Sequence, residues 1–321
     1  MKAIQISQYG SPDVLKIQEA TIGKPKVDQA LIRVQVAGVN FIDIYQRRGV
    51  YPVQLPFIPG LEGAGEVIAI GDGVKNVKPG DRVAFVHEPG CYAEECFVNA
   101  EKLIPLPKEL SFEQGAAFPL QGMTAHYLLH EFRTVKPNDV VLIHAAAGGM
   151  GLLLVQWAKH LGAKVLGTVS SPEKAKIAKD AGADDLINYT TQDFAAETKR
   201  LTNNHGADLI IDGVGKTTFA KNLNAAARRG QIIIFGAASG PADPISPNKL
   251  MEHSLTVSGG SLFNYLLTRE ELLMRANAVI EGITQGWLNL RIDEVFPLEQ
   301  AKAAHEKLEG RKTSGKVLLK I

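Results

Sequence analysis

The residues with the plainest chemical purpose are Ala146-Ala147-Gly148-Gly149-Met150-Gly151, which follow the apolar run Val140-Val141-Leu142-Ile143 and the pair His144-Ala145. A buried strand that runs into small residues and then a helix lets the backbone approach a pyrophosphate closely. The free N–H groups and the dipole at the start of that helix attract its negative charge. Gly151 would let the helix pack against the strand. Ala146 stands where G-x-G-x-x-G has its first glycine, so specificity comes from context: a strand, a tight turn and a helix opening a βαβ unit. Ala147, Gly148, Gly149, Met150 and Gly151 are therefore expected to hold a dinucleotide.

The next strand tells which dinucleotide. It ends Thr168-Val169-Ser170-Ser171-Pro172-Glu173-Lys174. NAD binders place Asp or Glu there to accept from the ribose 2′-OH. Ser170 and Ser171 take that place here. Two hydroxyls and a nearby cation suit a 2′-phosphate, so the expected coenzyme is NADP(H), with Lys174 on the phosphate. The alternatives are a solvated Lys174 and a Glu173 that reaches the ribose. Phe235-Gly236-Ala237-Ala238 ends a later strand at the sheet's carboxyl edge, where ligands bind. His144 reads as a satisfied core histidine, and Asp43 and Asp212 as structural. Cys91, Cys96 and His87 fit no common zinc spacing, and the cysteines read as small packed hydrophobes.

The elements that would position these residues change character near residue 123. Before it, β-rich runs at 30–36, 65–70, 82–86 and 93–98 alternate with turn residues, as in a small antiparallel barrel or sandwich. After it, strands at 140–143, 164–169, 185–188, 208–212 and 231–235 alternate with helices at 149–161, 172–181, 194–201 and 219–227. Unalternated strands between helices predict a doubly wound parallel sheet covered on both faces. Beyond 268 come a helix (269–285), a strand (291–295), a helix (298–308) and a last strand (315–321). This tail is expected to return to the first domain, which gives domains at 1–122 with 268–321 and at 123–267.

Composition removes other classes. The 35 Lys and Arg against 34 Asp and Glu leave a net charge of +1, with no chain-wide pull on nucleic acid or anionic lipid. Residues 140–158 are apolar enough to suggest a membrane span, but His144, Gln156 and the glycine cluster interrupt them. Residues 1–17 contain no apolar core of a signal peptide. Two cysteines make no disulfide framework, which suits a reducing, cytoplasmic setting.

Asp139, Leu142, Ala146-Ala147-Gly148-Gly149, Gly151, Gln156 and Lys159 match the nucleotide-turn pattern of a known family. Further matches are Gly38-Val39-Asn40-Phe41-Ile42-Asp43, Gly49-Val50-Tyr51-Pro52, Gly80-Asp81-Arg82-Val83 and Ile187-Asn188-Tyr189. The chain resembles, end to end, the zinc-independent quinone oxidoreductases (the zeta-crystallin-like branch) of the medium-chain dehydrogenase/reductase superfamily. That resemblance implies an α/β protein with a GroES-like β-barrel catalytic domain, a Rossmann domain and an active site in the cleft between them. It also implies a homodimer, often joined through the last Rossmann strand, here about 255–258. The zinc-dependent branch holds its catalytic metal with Cys, His and Cys. Here Asn40 matches the first ligand, Gly60-Leu61-Glu62 replaces Gly-His-Glu, and 119–124 offer neither Cys nor His. No metal is expected.

Without a Lewis acid, an acceptor with its own electron sink is the easier substrate, and a quinone or an α,β-unsaturated carbonyl has one. Some relatives pass single electrons to ortho-quinones, which leaves the electron count open. By resemblance Tyr51 lies beside the nicotinamide, either donating to the acceptor oxygen or only packing. Asn40 would bond the carboxamide or ribose, Gln121 and Thr124 would face the cleft, Tyr189 would stack near the adenosine, and Lys316 would lie near a phosphate. Three functions follow: an NADPH-dependent quinone oxidoreductase, an NADPH-dependent enone, enal or enoyl-thioester reductase, and a non-enzymatic NADPH-binding protein.

Overall fold

The computed structural model describes residues 1–321. They form two compact units, 1–120 with 266–277 and 290–321, and 121–265 with 278–289.

The second unit is a six-stranded parallel sheet. Its order is Asp185–Asn188, Lys164–Val169, Val140–Ile143, Ala207–Asp212, Ala226–Ile234, Thr256–Gly259. Helices Gly149–His160, Pro172–Asp180, Phe194–Leu201 and Phe219–Ala225 cross between strands. Val140–Ile143 is buried along its whole length, as befits a central strand covered on both faces. Leu142, Leu166, Ile187, Ile210 and Ile232 from five neighbouring strands join one apolar core. Strand order reverses between Val140–Ile143 and Ala207–Asp212, and such a switch point opens a crevice at the carboxyl ends of the strands. The glycine turn departs from the first of these two strands. The stretch that suggested a membrane span is thus a short strand, a turn and a helix, and no helix is long and apolar enough to cross a membrane. Helix Pro119–His130 was not predicted. Met123, Ala125, Tyr127, Leu128 and Leu129 are all buried, so it has no single apolar stripe to read.

The first unit holds a seven-stranded sheet. Its path is Ile292–Pro297, Lys316–Lys320, Gln29–Val39, Glu62–Ile70, Arg82–Val86, Leu103–Pro105, and Glu95–Asn99 also pairs with Gln29–Val39. Pairing is antiparallel except between Ile292–Pro297 and Lys316–Lys320. The ladder path is open between Leu103–Pro105 and Ile292–Pro297. Ile32, Val34, Phe85, Val98, Leu103, Phe296 and Leu319 share its core.

The tail departs from expectation in one segment. Residues 278–289 cluster with the second unit rather than with the rest of 268–321. Packing explains this. A Cβ at Gly122 would lie 2.7 Å from Val279 Cγ1. Trp287 stacks on His160 at 4.0 Å and meets Trp157 edge-on at 5.3 Å. The Gln156 side chain donates to the Asn289 carbonyl (3.1 Å) and accepts from its N–H (2.8 Å).

Candidate active site

The turn after Ile143 is shaped to expose amides. Ala145 adopts φ +53°, and Gly148 N–H donates to its carbonyl at 2.9 Å. Gly148 is the helix N-cap and carries no side chain to occupy the first-turn N–H groups of Gly149, Met150 and Gly151. A Cβ on Gly151 would sit 2.3 Å from the Ala145 oxygen and 2.7 Å from Ala146 C, both backbone atoms that cannot step aside. Ala146, the departure from the fingerprint, is accommodated across the sheet. A Cβ on Gly167 would fall 2.6 Å from the Ala146 methyl, so the missing side chain at 167 makes room for the one at 146.

A buried polar chain props this turn from below. Asp212, at the end of its strand, accepts from the N–H groups of Val214 (2.7 Å) and Gly215 (3.0 Å) and from Thr218 Oγ1 (2.7 Å) and Asn222 Nδ2 (2.6 Å). Asn222 Oδ1 accepts a hydrogen bond from His144 Nε2–H at 2.7 Å, which leaves Nδ1 to accept from Thr168 Oγ1 at 3.1 Å. Thr168 Oγ1 in turn accepts from Ala145 N–H at 3.2 Å. Burial holds the His144 pKa below its usual value, against the opposing pull of Asp212. His144 is thus a neutral, doubly bonded strut. Thr168 and Asn222 were missed in the sequence because only the sheet brings them beside His144.

The adenosine-side candidates gather at the carboxyl ends of Lys164–Val169 and Asp185–Asn188. Ser171 caps helix Pro172–Asp180, and its Oγ accepts from Lys174 N–H at 3.3 Å. The Ser171 hydroxyl also holds the exposed Glu173 carboxyl below its usual pKa. Tyr189 N–H donates to Val169 O at 3.1 Å, which brings Tyr189, 47% exposed, to the same edge as Ser170. Phe235-Gly236-Ala237-Ala238 lies beside the chain after Asp212: Phe235 N–H donates to Asp212 O (3.0 Å) and Ala238 N–H to Gly213 O (3.1 Å). Gln121 and Thr124 lie three apart on helix Pro119–His130, on one face of it.

The first unit gives Asn40 and Lys316 a different task from the one expected. Asn40 ends the long strand Gln29–Val39 and begins helix Phe41–Arg47, and its N–H donates to Asp43 Oδ2 at 2.8 Å. Its side chain donates to Glu62 Oε2 (2.8 Å) and accepts from Lys316 Nζ (2.7 Å). Lys316 pairs with Glu62 at 2.5 Å, and all three residues are buried. Glu62 also accepts from Leu120 N–H at 2.6 Å. A buried carboxylate demands a cation, so this ammonium is engaged by Glu62 rather than by a phosphate.

Beside this trio, Phe41, Tyr45 and Tyr51 make an aromatic row. Ring centroids are 6.2 Å apart for Phe41–Tyr45 and 5.3 Å for Tyr45–Tyr51, the second pair edge-on. The Tyr45 carbonyl accepts from Val50 N–H (2.9 Å) and Tyr51 N–H (3.2 Å), folding the loop back on the helix. Tyr51 is 51% exposed. Tyr45 escaped the sequence reading because Phe41-Ile42-Asp43-Ile44-Tyr45 is β-favouring in composition. The signal was the box formed by Asn40 and Asp43, which marks a helix start.

A second buried chain runs beneath. Arg47 pairs with Glu309 (2.8 Å) and donates to His305 Nδ1 (3.1 Å). His305 Nε2 then donates to Tyr92 Oη (3.2 Å), and Tyr92 donates to Asp43 Oδ2 (3.2 Å). Asp43 Oδ1 has no hydrogen-bond partner. Burial pushes the Asp43 pKa up to about 7 against the pull of Asn40 N–H and Lys316. Burial, with Arg47 adding to it, brings His305 down to about 3. Cys91 donates to the Glu62 carbonyl at 3.0 Å, and burial pushes both thiols well above their usual pKa. No three side chains among His, Cys, Asp and Glu come together as a metal site.

A parallel sheet in this order with an amide-lined glycine turn at its switch point, in one chain with a GroES-like sheet, defines a medium-chain dehydrogenase/reductase. Residues 26–141 match the alcohol dehydrogenase GroES-like domain, and 149–276 match the zinc-binding dehydrogenase domain. The chain is 40% identical to quinone oxidoreductase 1 of Escherichia coli, over 98% of each chain. It is 40% identical to a 2-haloacrylate reductase of a Burkholderia species, over 99% of this chain and 98% of that one. The solved structure of E. coli quinone oxidoreductase complexed with NADPH superposes with a TM-score of 0.97 at 39% identity, covering 100% of both chains. The chain belongs to the quinone oxidoreductase family of the medium-chain dehydrogenases/reductases.

Proposed function

We propose that this protein is a zinc-independent oxidoreductase that passes reducing equivalents from NADPH to a quinone. The observation that carries the reading is the pairing of an amide-lined cradle, at 145–151, with an acceptor-side unit whose zinc-ligand positions hold Asn40 and Leu61. Asn40 is already bonded at both ends of its amide, and Leu61 has no donor atom. The cradle fits a dinucleotide: Gly151 lets the helix start close against the backbone of Ala145 and Ala146, where a Cβ would collide, and the first-turn amides brought there would meet an anion. NADPH, when bound, supplies a hydride from its nicotinamide. Quinone, NADPH and one proton then give hydroquinone and NADP⁺.

Each of the chain's own groups has a part. Ala147, Gly148, Gly149, Met150 and Gly151 hold the pyrophosphate, and Ser170, Ser171 and Lys174 hold the 2′-phosphate. Tyr189 and Phe235-Gly236-Ala237-Ala238 flank the coenzyme, and Gln121 and Thr124 border it. Tyr51, at the end of its aromatic row, stacks against a flat acceptor or donates to its oxygen. Asn40 is held rigid by Glu62 and Lys316, and so acts through position. The protein works in the cytoplasm as a homodimer. In support, Thr256–Gly259 ends the sheet order with one edge unpaired, and both thiols are free and buried. Sedimentation of the purified chain tests the dimer.

The resemblance to 2-haloacrylate reductase favours a second reading, reduction of an activated carbon–carbon double bond. NADPH oxidation against ortho-quinones, para-quinones, enones and 2-haloacrylates decides. Quinones should turn over fastest. Turnover of enones or haloacrylates alone would replace the first reading with the second, and tight NADPH binding without turnover of any acceptor would make the protein a binder.

A further inference from the structure

Tyr9 is a half-exposed tyrosine near the start of the chain, 39% accessible, and it belongs to no element of the coenzyme site. Its hydroxyl nonetheless makes two hydrogen bonds to a single distant residue, donating to Val53 O at 2.7 Å and accepting from Val53 N–H at 2.9 Å. Its ring lies over Gly49. A Cβ there would come within 2.9 Å of Tyr9 Cγ and Cδ2, and Gly49 has φ +75°, which glycine adopts without strain. Tyr9 therefore grips the loop at both ends of a five-residue stretch whose middle residue is Tyr51. The neighbouring residue braces the helix that precedes the loop: Gly10 N–H donates to Arg47 O at 3.0 Å, and Arg47 Nε donates to Gly10 O at 3.1 Å. Inside the loop, the Val50 and Tyr51 N–H groups both donate to the Tyr45 carbonyl, and the Tyr51 ring meets the Tyr45 ring edge-on.

We propose that Tyr9 is a positioning residue that fixes the height of Tyr51 over Tyr45 and thereby sets how tightly the acceptor is held. This rests on the reading of Tyr51 as an acceptor-facing group. Gly49 is part of the device, because only a bare α-carbon lets the Tyr9 ring close on the loop. A loop that is otherwise solvent-facing and aromatic at its tip needs such a clamp, since a tyrosine free to swing loses affinity to the cost of ordering it on binding.

Tyr9→Phe tests the clamp, because it keeps the ring over Gly49 and removes both hydroxyl bonds. Amide exchange at Val50, Tyr51 and Val53 should quicken about tenfold. The KM for the preferred quinone should rise about fivefold, while kcat and the NADPH dissociation constant stay within about twofold. In a Tyr51→Ala background the same substitution should leave the acceptor KM unchanged. Unaltered exchange would overturn the clamp itself. Faster exchange with an unaltered acceptor KM would reduce Tyr9 to a structural residue and overturn the proposal. A KM effect that persists without the Tyr51 ring would overturn the route through Tyr51. The Tyr51→Ala variant alone checks the underlying reading: if it leaves acceptor kinetics untouched, Tyr51 does not face the acceptor and the proposal falls with it, while the exchange result still reports on the clamp.

Discussion

Each unit carries a buried polar chain beneath its candidate site, and the two are built on opposite principles. Under the nucleotide turn, Asp212 accepts four hydrogen bonds, and Asn222, His144 and Thr168 pass the connection to Ala145 with both His144 nitrogens engaged. Under helix Phe41–Arg47, Asp43 keeps one oxygen unpartnered and is linked through Tyr92 to His305 and a buried Arg47. A fully satisfied network rigidifies, whereas a partly satisfied one keeps protonation states in tension. The difference teaches that the glycine turn is built to stay fixed, while the first unit carries stored pH sensitivity.

The largest expected effect breaks that sensitivity into its parts. Asp43 holds its proton more tightly folded than unfolded, so its contribution is fully present below pH 3.8, the ordinary value for an aspartate, and is lost as pH rises through about 7. His305 is the reverse: its contribution is present above pH 6.5 and is lost as pH falls through about 3. Each displacement corresponds to roughly 4 to 5 kcal/mol at its limit. Between about pH 4 and 6.5 the two slopes oppose each other, so the whole chain should show a flat stability profile there. Asp43→Asn should uncover a loss of stability on acidification. His305→Gln, which can still accept from Arg47 and donate to Tyr92, should uncover a loss on alkalinisation. Urea unfolding midpoints from pH 4 to 8 read both slopes, and two parallel profiles would refute the opposition.

Next comes the fixed region. Gly151→Ala would push a methyl into the Ala145 carbonyl at 2.3 Å, with backbone on both sides and no side chain to yield. Expected costs are about 3 kcal/mol of stability and at least about a hundredfold in NADPH affinity, measured by thermal unfolding and by fluorescence titration. A smaller loss follows from Thr168→Val, which keeps shape but leaves His144 Nδ1 and the Ala145 N–H without their partner. About 2 kcal/mol is expected, together with weaker NADPH binding. An unchanged affinity would show that the strut does not set the turn.

These two regions were unequally legible in the sequence. Val140–Ile143, Lys164–Val169, Asp185–Asn188 and Phe194–Leu201 have the bounds that pattern alone predicts, because buried strands and capped helices announce themselves locally. The glycine turn was readable for the same reason. Lys316 was misread: its partner Glu62 lies 254 residues away, and only the pairing of Lys316–Lys320 with Gln29–Val39 brings the two together. Tyr9 was invisible because its role is a contact across a loop, with no period or motif to mark it, and Tyr45 was hidden in a β-favouring run whose helix-start box went unread. Residues 278–289 were assigned to the wrong unit because a helix pattern does not say which neighbour Val279 and Trp287 will meet.

The smallest effect sharpens the coenzyme side. Lys174 follows the Ser171 cap by three residues, and its N–H is bonded to Ser171 Oγ, so its side chain leaves the helix from the first turn. A cation there adds to the positive end of the helix dipole and favours a 2′-phosphate, while the Glu173 carboxylate beside it opposes one. Lys174→Glu should therefore raise the KM for NADPH about tenfold and leave that for NADH within about twofold, because only NADPH carries the 2′-phosphate. Glu173→Gln should move the same ratio slightly the other way. Steady-state kinetics with both coenzymes decide it. Equal effects on the two would mean that Ser170 and Ser171 face a ribose hydroxyl, and that the preference for NADPH arises elsewhere on the sheet edge.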